Sequence, residues 1–236
     1  MGFGKFIKQA SKAKSNGKVN RLKIKNLSLV YYDIAHKEHT QQLIRESSFV
    51  TEHIVRRLQS HSFFDCGRIN FICCNDHSRY GVREAYGICE MDIIFAPMYF
   101  SLPIEEKKQY LFDLLYSSIK VLCELKKWDF TFFQNAFDEL KSNNYTSCFY
   151  TNLLSKRNGN CARVLGMQKL DSLSFYLEYS SVKQSKVLFH LFDSKQSCFD
   201  YDRFLGKLYW KGENEIVLLD KDNVEIDVID IRIMNN

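Results

Sequence analysis

The sequence has few of the residues that interrupt regular structure: its 236 residues include 2 Pro and 10 Gly. It also lacks a run of eighteen apolar residues, which excludes a transmembrane helix, and its N-terminus lacks the apolar stretch of a secretory signal. Aromatic residues are plentiful, with 19 Phe and 13 Tyr. This composition predicts a packed, regular protein. We therefore expect a cytoplasmic protein, with no membrane partner, whose eight cysteines stay reduced.

Acidic residues are missing from the first 32 positions, where eight Lys and Arg occur. Without those eight, 25 basic residues face 28 acidic residues, so the remainder of the chain carries a net charge of −3. We predict a basic, flexible arm over residues 1–20. Such an arm could contact nucleic acid or an anionic membrane surface, but a like-charge run is more often a solvated tail. Nucleic acid is therefore an alternative partner and not the favoured one.

The first half of the chain predicts a strand over 27–34, a helix over 38–59, and strands over 68–74 and 86–96 joined as a hairpin. The helix has an apolar inner face every three or four residues. That face contains Leu43, Ser47, Val50, Ile54 and Leu58. In the last strand, Glu90 and Asp92 alternate with apolar residues, which is typical of a strand with one wet face.

Two further helices are predicted after this strand. The first begins near Pro103, with Ser101 as a candidate cap, and the second begins after Trp128, with Asp129 as its N-cap. The inner face of the first contains Leu111, Leu114, Leu115, Ser118, Leu122 and Leu125. A short connection predicts that the two helices are antiparallel neighbours.

Beyond residue 145 the helical period gives way to short strand patterns separated by turn-forming residues. The fold class is therefore α+β: a mostly antiparallel sheet with three main helices, followed by a C-terminal antiparallel β meander. In the last strand the apolar parity changes between Val228 and Ile229, which predicts a bulge there or burial on both faces. We expect an α+β lobe over 21–142 and a β-rich lobe over 143–236, packed together or forming a single domain.

Signatures of catalysis and cofactor binding are lacking. No strand is followed by a Gly-rich phosphate loop, and the cysteines lack the paired spacing of zinc modules, so we expect no cofactor and no metal. The polar loop over 75–84 is the first candidate binding surface. Its candidate residues are Asp76, His77, Arg79, Tyr80 and Glu84. A small enzyme that uses His77 with Asp76, Glu84 or Cys89, as a hydrolase or to reverse a toxin's modification, is the alternative interpretation.

The C-terminal part is the second candidate surface, because ten acidic and six basic residues follow Phe192, with aromatic residues among them. Acidic groups around aromatic side chains can bind a basic protein. The candidate residues here are Asp200, Tyr201, Asp202, Tyr209, Trp210, Glu213 and Glu215. An ordinary solvated β surface would have the same composition.

The segment over 92–140 combines a strand, a Pro-Ile-Glu-Glu-Lys-Lys helix start at 103–108, a Leu-rich helix and a Lys-Trp-Asp junction at 127–129. In this it resembles bacterial immunity proteins, which neutralise contact-delivered toxins. The resemblance covers about a fifth of the chain and leaves the basic arm unexplained. It implies a non-catalytic protein that binds and occludes a cognate toxin as a heterodimer, with no small-molecule substrate.

Overall fold

The computed structural model describes residues 21–32, 37–62, 64–74, 81–181, 186–195 and 201–232. Within these residues the chain forms three α-helices and eleven β-strands arranged in three sheets. The predicted α+β class and the position of the helices ahead of the C-terminal strands are confirmed. None of the described helices is long and apolar enough to cross a membrane. The predicted basic arm lies outside the described residues.

The N-terminal sheet has four strands in the order β1-β2-β4-β3. These strands are β1 (Asn26–Tyr31), β2 (Arg68–Cys74), β3 (Val82–Ala85) and β4 (Ile88–Ile94). The long helix α1 (Lys37–Leu58) connects β1 to its parallel neighbour β2, as a crossover between parallel strands requires. In β2, buried and half-buried residues alternate because successive side chains point to opposite faces of the sheet.

The predicted hairpin of strands 68–74 and 86–96 is wrong. Strands β2 and β4 are parallel neighbours, with Arg68 opposite Ile88 and Cys74 opposite Ile94. The element missing from the prediction is β3, which pairs antiparallel with β4. Because β3 runs opposite to β4, the chain reverses direction twice between β2 and β4. The four residues of β3 are largely exposed and show no apolar alternation, so the sequence pattern did not reveal them.

The helical predictions are mostly confirmed. All five predicted inner-face residues of α1 are buried. Helix α2 (Ile104–Lys126) and helix α3 (Thr131–Ser142) follow, and their aromatic rings meet where Phe112 packs edge-on against Phe137. Asp129 does act as a cap, since its carboxylate accepts a hydrogen bond from the backbone N–H of Thr131 at 2.9 Å.

Two details of α2 differ from the prediction. Ser101 does not cap it but ends a short 3-10 helix, Pro97–Ser101, and Pro103 occupies the N-cap position without a side-chain cap. Leu125 is 61 % exposed and does not face the core. The inward position in this last turn is taken by Lys126, whose side chain is only 12 % exposed because two carboxylates bind it.

The C-terminal meander is confirmed, but it divides into two antiparallel sheets. The first contains β5 (Ser147–Arg157), β6 (Asn160–Gln168), β7 (Leu173–Ser180) and β8 (Val187–Ser194). The second contains β9 (Lys207–Lys211), β10 (Glu215–Leu219) and β11 (Glu225–Asp230). Each strand pairs with its sequence neighbour within its sheet, which is the pattern that short turns between strands predict.

The irregularity predicted in the last strand lies elsewhere. The pairing is regular at Val228 and Ile229 and shifts instead at Ile226, which is skipped between the partners of Leu218 and Leu219. Val228 is 37 % exposed, so this strand is not buried on both faces. Val228 and Ile229 are adjacent apolar residues because Val228 faces solvent, and the register does not change between these two residues.

Two apolar clusters form the core. One joins the N-terminal sheet to the three helices, and the other lies between the two C-terminal sheets. Between them, buried polar groups link α1 to the first residue of β5: the His53 ring and the Arg56 guanidinium both contact the hydroxyl of Ser147. The proposed division at residues 142 and 143 stays a prediction.

Candidate functional site

An open groove of about 570 Å³ runs between the β3–β4 hairpin and the second half of α2. We call it the hairpin groove. Its lining includes Val82 and Glu84 from β3, Met91 from β4, and Val121, Leu125 and Lys126 from α2. The groove exists because β3 is the edge strand of the sheet and α2 packs beside it without a further strand.

The α2 side of the groove is apolar and accessible. Val121 is 45 % exposed and Leu125 is 61 % exposed. These two residues are four positions apart, so their side chains lie on the same side of the helix, one turn from each other. Half-buried Val82 adds apolar surface from the strand. Adjacent exposed apolar side chains bordered by charge are typical of a surface that contacts another protein.

Lys126 closes one end of the groove. Its ammonium group binds the carboxylate of Asp65 at 2.5 Å and also the carboxylate of Glu84. Burial works to lower the pKa of Lys126, but the two carboxylates more than offset it, so the pKa is raised. The lysine therefore stays charged, and the cluster of three groups has a net charge of −1.

A second ion cluster lies across the hairpin. Arg83 of β3 donates two hydrogen bonds of 2.7 Å to Asp92 of β4, and it lies 3.7 Å from Glu90. The bonds to Asp92 raise the pKa of Arg83. The predicted wet face of β4 is only partly correct: Glu90 is half-buried and accepts a hydrogen bond from Asn70 of β2 at 3.3 Å, but Asp92 is buried. With two carboxylates and one guanidinium, this cluster too has a net charge of −1.

Tyr86 stands at the tip of the hairpin. It and Gly87 form the two-residue turn between β3 and β4, with φ values of 53° and 77°. The side chain of Tyr86 is fully exposed. A non-glycine residue in the left-handed region carries a conformational cost of roughly 1–2 kcal/mol, and Asn or Gly normally occupies such a turn. Because the Tyr86 side chain is fully exposed, no packing within the described residues offsets this cost.

The cysteines near this groove are buried in the core. Cys66 and Cys89 are both buried, and a hydrogen bond between the two thiols raises the pKa of Cys66 and lowers that of Cys89. Cys73 is buried while Cys74 is half-buried, as expected for adjacent residues of one strand. Among the described residues, no three His, Cys, Asp or Glu side chains are grouped to hold a metal ion.

Of the first candidate surface, the structure describes Glu84, which lines the hairpin groove. Asp76, His77, Arg79 and Tyr80 lie outside the described residues, as does Asp200 of the second surface. The enzyme hypothesis that rests on His77 therefore stays a prediction. Cys89, one of the partners that this hypothesis names, has a fully buried side chain.

The second candidate surface is only partly a surface. The Tyr201 ring packs 5.0 Å from Phe175, and the Trp210 ring lies 6.3 Å from Tyr179, so both aromatics contact the second core. The indole N–H of Trp210 is buried and has no hydrogen-bond partner among the described residues. These aromatic rings contribute to packing more than to a contact surface.

The remaining residues of this surface do not form a single group. Asp202 pairs with Lys221, and the Lys207 ammonium lies 5.2 Å from the Tyr209 ring centroid. Glu213 follows β9 in an exposed turn, and Glu215 begins β10. Glu84 lines the hairpin groove, and none of the described candidate residues of the second surface lines it.

Among the groove residues that the sequence reasoning missed are Val121 and Leu125, and it also missed Tyr86 at the tip of the hairpin. A signal existed for Tyr86, since Tyr-Gly between two short strand patterns is a two-residue hairpin turn. None existed for the two α2 residues, whose exposure depends on where the neighbouring strand ends. Comparison of the chain with protein-family models, with curated proteins and with solved structures gives no match.

Proposed function

We propose that this protein is a non-catalytic binding protein that neutralises a bacterial toxin by occluding it, as the resemblance over 92–140 implies. The observation that carries the proposal is the hairpin groove, where two exposed apolar side chains of α2 face an edge strand with an acidic border. Val121 and Leu125 supply the apolar contact, and a groove beside an unpaired strand can receive a loop or strand of another protein.

The charges around the groove favour a basic partner. Asp65, Glu84, Glu90 and Asp92 contribute four carboxylates, against one guanidinium and one ammonium group. A negative border attracts a positive surface and accelerates its association. Many toxins that act on nucleic acid require a basic surface, so such a toxin is the partner class that fits this border best.

Tyr86 supports the same surface. Tyr86 is fully exposed in the free protein, and its positive φ in the hairpin turn lowers stability. We expect such a residue to make its contacts in a complex. Tyrosine is also among the residue types that dominate binding energy at interfaces. We therefore place Tyr86 at the border of the contact surface, with Leu125 nearer its centre.

The experiment requires a candidate toxin, which the proposal expects to be encoded beside this protein's gene. Cells that express the toxin are tested for survival with the wild-type protein and with Leu125→Lys, and affinity is measured with purified proteins. The matched control is Val224→Lys, since Val224 is 59 % exposed and lies outside the groove. We expect Leu125→Lys to weaken binding at least about a hundredfold, as loss of a central apolar contact does.

Val224→Lys should bind and protect as the wild type does. The proposal is refuted if no toxin is encoded nearby, or if the purified toxin and this protein do not associate. If they associate and both lysine variants bind equally well, the toxin-binding role stands and the hairpin groove is the wrong surface. Urea unfolding of each variant establishes that a loss of binding is not a loss of fold.

A further inference from the structure

A second pocket, of about 370 Å³, lies where the end of α1 meets the C-terminal sheets. We call it the interlobe pocket. It shares no lining residue with the hairpin groove, and its size is in the range of small-molecule sites. The residues used below are Arg56 from α1, Phe149, Thr151 and Asn152 from β5, and Tyr201 and Asp202 from the segment before β9.

Arg56 supplies a fixed cation on one wall. Its Nη1 donates to the Ser147 hydroxyl at 3.1 Å, and its Nη2 donates to Gln168 at 3.1 Å and to Glu52 at 2.5 Å. A guanidinium group has five N–H donors. Its Nε–H and one Nη1–H therefore have no partner among the described residues. The side chain is 20 % exposed, and Glu52 does not line the pocket, so the pocket presents the positive end of this ion pair.

Phe149 holds the guanidinium in place. The Arg56 guanidinium carbon lies 3.7 Å from the centroid of the Phe149 ring. The ring also covers Gly166 of β6, where an added Cβ would lie 2.4 Å from the ring carbon Cζ. Only glycine allows this close approach. The sequence thus provides a specific arrangement in which one aromatic ring contacts both a glycine and a cation.

The strand that carries Phe149 is interrupted at the pocket. Pairing of β5 with β6 runs to Tyr150 and resumes at Leu154, so three residues face a single residue of β6. These three residues, 151–153, all line the pocket. Their backbone groups are outside the β5–β6 ladder. One of these groups, the N–H of Leu153, donates a hydrogen bond to the Thr151 hydroxyl at 3.2 Å. Bulges of this kind redirect side chains next to functional sites.

Asp202 supplies a carboxylate on another wall. It is bound to Lys221, but both side chains are more than half exposed, so this ion pair is weak and can be exchanged for another cation. The pocket therefore presents a guanidinium from one element and a carboxylate from another. The aromatic side chains of Phe149 and Tyr201 and the amide of Asn152 also line this pocket.

We propose that the interlobe pocket binds a free amino acid with an aromatic side chain. The ligand's carboxylate accepts a hydrogen bond from an unpaired donor of Arg56, and its ammonium group donates to Asp202. Its ring packs against Phe149 and Tyr201. A zwitterion has a group that can bind each of the two opposite charges, whereas a ligand with one charge can bind only one of them. This inference goes beyond the proposed toxin binding and does not depend on it.

The test is calorimetric titration of the full chain with three probes that share one ring. These are phenylalanine, 3-phenylpropionate, which lacks the ammonium group, and phenethylamine, which lacks the carboxylate. We expect saturable binding of phenylalanine, with each of the other two probes weaker by about tenfold or more, as the loss of a charged hydrogen bond implies. Asp202→Asn should weaken the binding of phenylalanine by about tenfold and leave the affinity for 3-phenylpropionate unchanged.

Asp222→Asn is the control, since Asp222 is an exposed acid of the neighbouring turn that does not line the pocket. It should change none of the affinities. The proposal is overturned if phenylalanine does not bind at millimolar concentration, if it binds no better than 3-phenylpropionate, or if Asp202→Asn has no effect. Leu125→Lys should bind phenylalanine normally, so failure here and failure of the proposed toxin binding are distinguishable.

Discussion

His53 is buried at the junction of α1, α3 and β5, and its environment predicts a specific loss of stability in acid. Its Nε2 lies 3.0 Å from the carbonyl oxygen of Ala136, which can only accept, so this nitrogen carries the proton. Its Nδ1 must then accept from the Ser147 hydroxyl at 3.0 Å. A second proton would break that bond and place a charge in the interior.

The pKa of His53 is lowered from 6.5 to about 4, first of all by burial. The carboxylate of Glu139 raises this pKa, while the guanidinium groups of Arg57 and Arg56 lower it further. The unfolded chain therefore takes up the proton at a higher pH than the folded protein does. Stability is complete above pH 6.5 and falls as the pH decreases toward 4. The difference between these pKa values corresponds to about 3 kcal/mol.

The measurement is urea unfolding of the wild type and His53→Gln at several pH values between 7.5 and 4. Glutamine can keep a donor and an acceptor but does not titrate. At pH 7.5 we expect the variant to be less stable by about 1–3 kcal/mol, because its packing and hydrogen bonds are poorer. Toward pH 4 the two free energies of unfolding should converge or cross, since only the wild type loses about 3 kcal/mol through His53.

Glu52 acts in the opposite direction in the same pH range. Burial raises its pKa above 4.5, although Arg56 and Gln168 lower it, so this group adds stability as the pH falls through its folded pKa. The effect is common to both proteins and cancels in their difference. Parallel stability curves for wild type and His53→Gln would refute the assignment of the acid loss to His53.

Three further predictions concern stability and are measured by denaturant unfolding at pH 7.5. Gly166→Ala should destabilise by about 1–3 kcal/mol, because the new methyl group displaces the packed Phe149 ring; unchanged stability would show that this ring moves freely. Lys107→Met should cost about 3 kcal/mol, since the ammonium group lies 3.1 Å from the Glu46 carboxylate and both side chains are largely buried. Adding Glu46→Gln should recover part of this loss, and no recovery would mean that the charge is not its cause. Tyr86→Asn should stabilise by about 1 kcal/mol by relieving the positive φ, and it should weaken toxin binding; a loss of stability would show that Tyr86 packs in the free protein.

Much of the secondary structure could be predicted because its pattern is local. The inner face of α1 repeats every three or four residues and needs no knowledge of what packs against it. The strand over 68–74 has an alternating burial pattern, and the strand over 215–219 is a short apolar segment between turn-forming residues. Seven C-terminal strands were identified from turn-forming residues between short apolar segments, and antiparallel pairing of sequence neighbours followed from the short turns.

The direction of the strands and the exposure of individual side chains were harder to predict, because both depend on residues that are distant in the sequence. The parallel pairing of β2 and β4 results from a four-residue strand with no apolar alternation. Leu125 satisfies the helical period as well as its buried neighbours do, yet it is exposed, because β3 is the edge strand and the sheet does not extend over this part of α2. A periodic pattern shows which residues share a face but not how far the opposing surface extends.

Composition and short-range period were enough to predict the α+β class, the three helices, the meander and the excess of acid over base outside the arm. Which polar and aromatic residues meet depends instead on the tertiary fold. Glu84 became part of a groove because α2 lies beside the edge strand. Arg56 and Phe149, 93 positions apart, meet in one wall of a pocket, and Gly166 leaves the room that the Phe149 ring needs. Such contacts arise from packing across the fold, which no local pattern encodes.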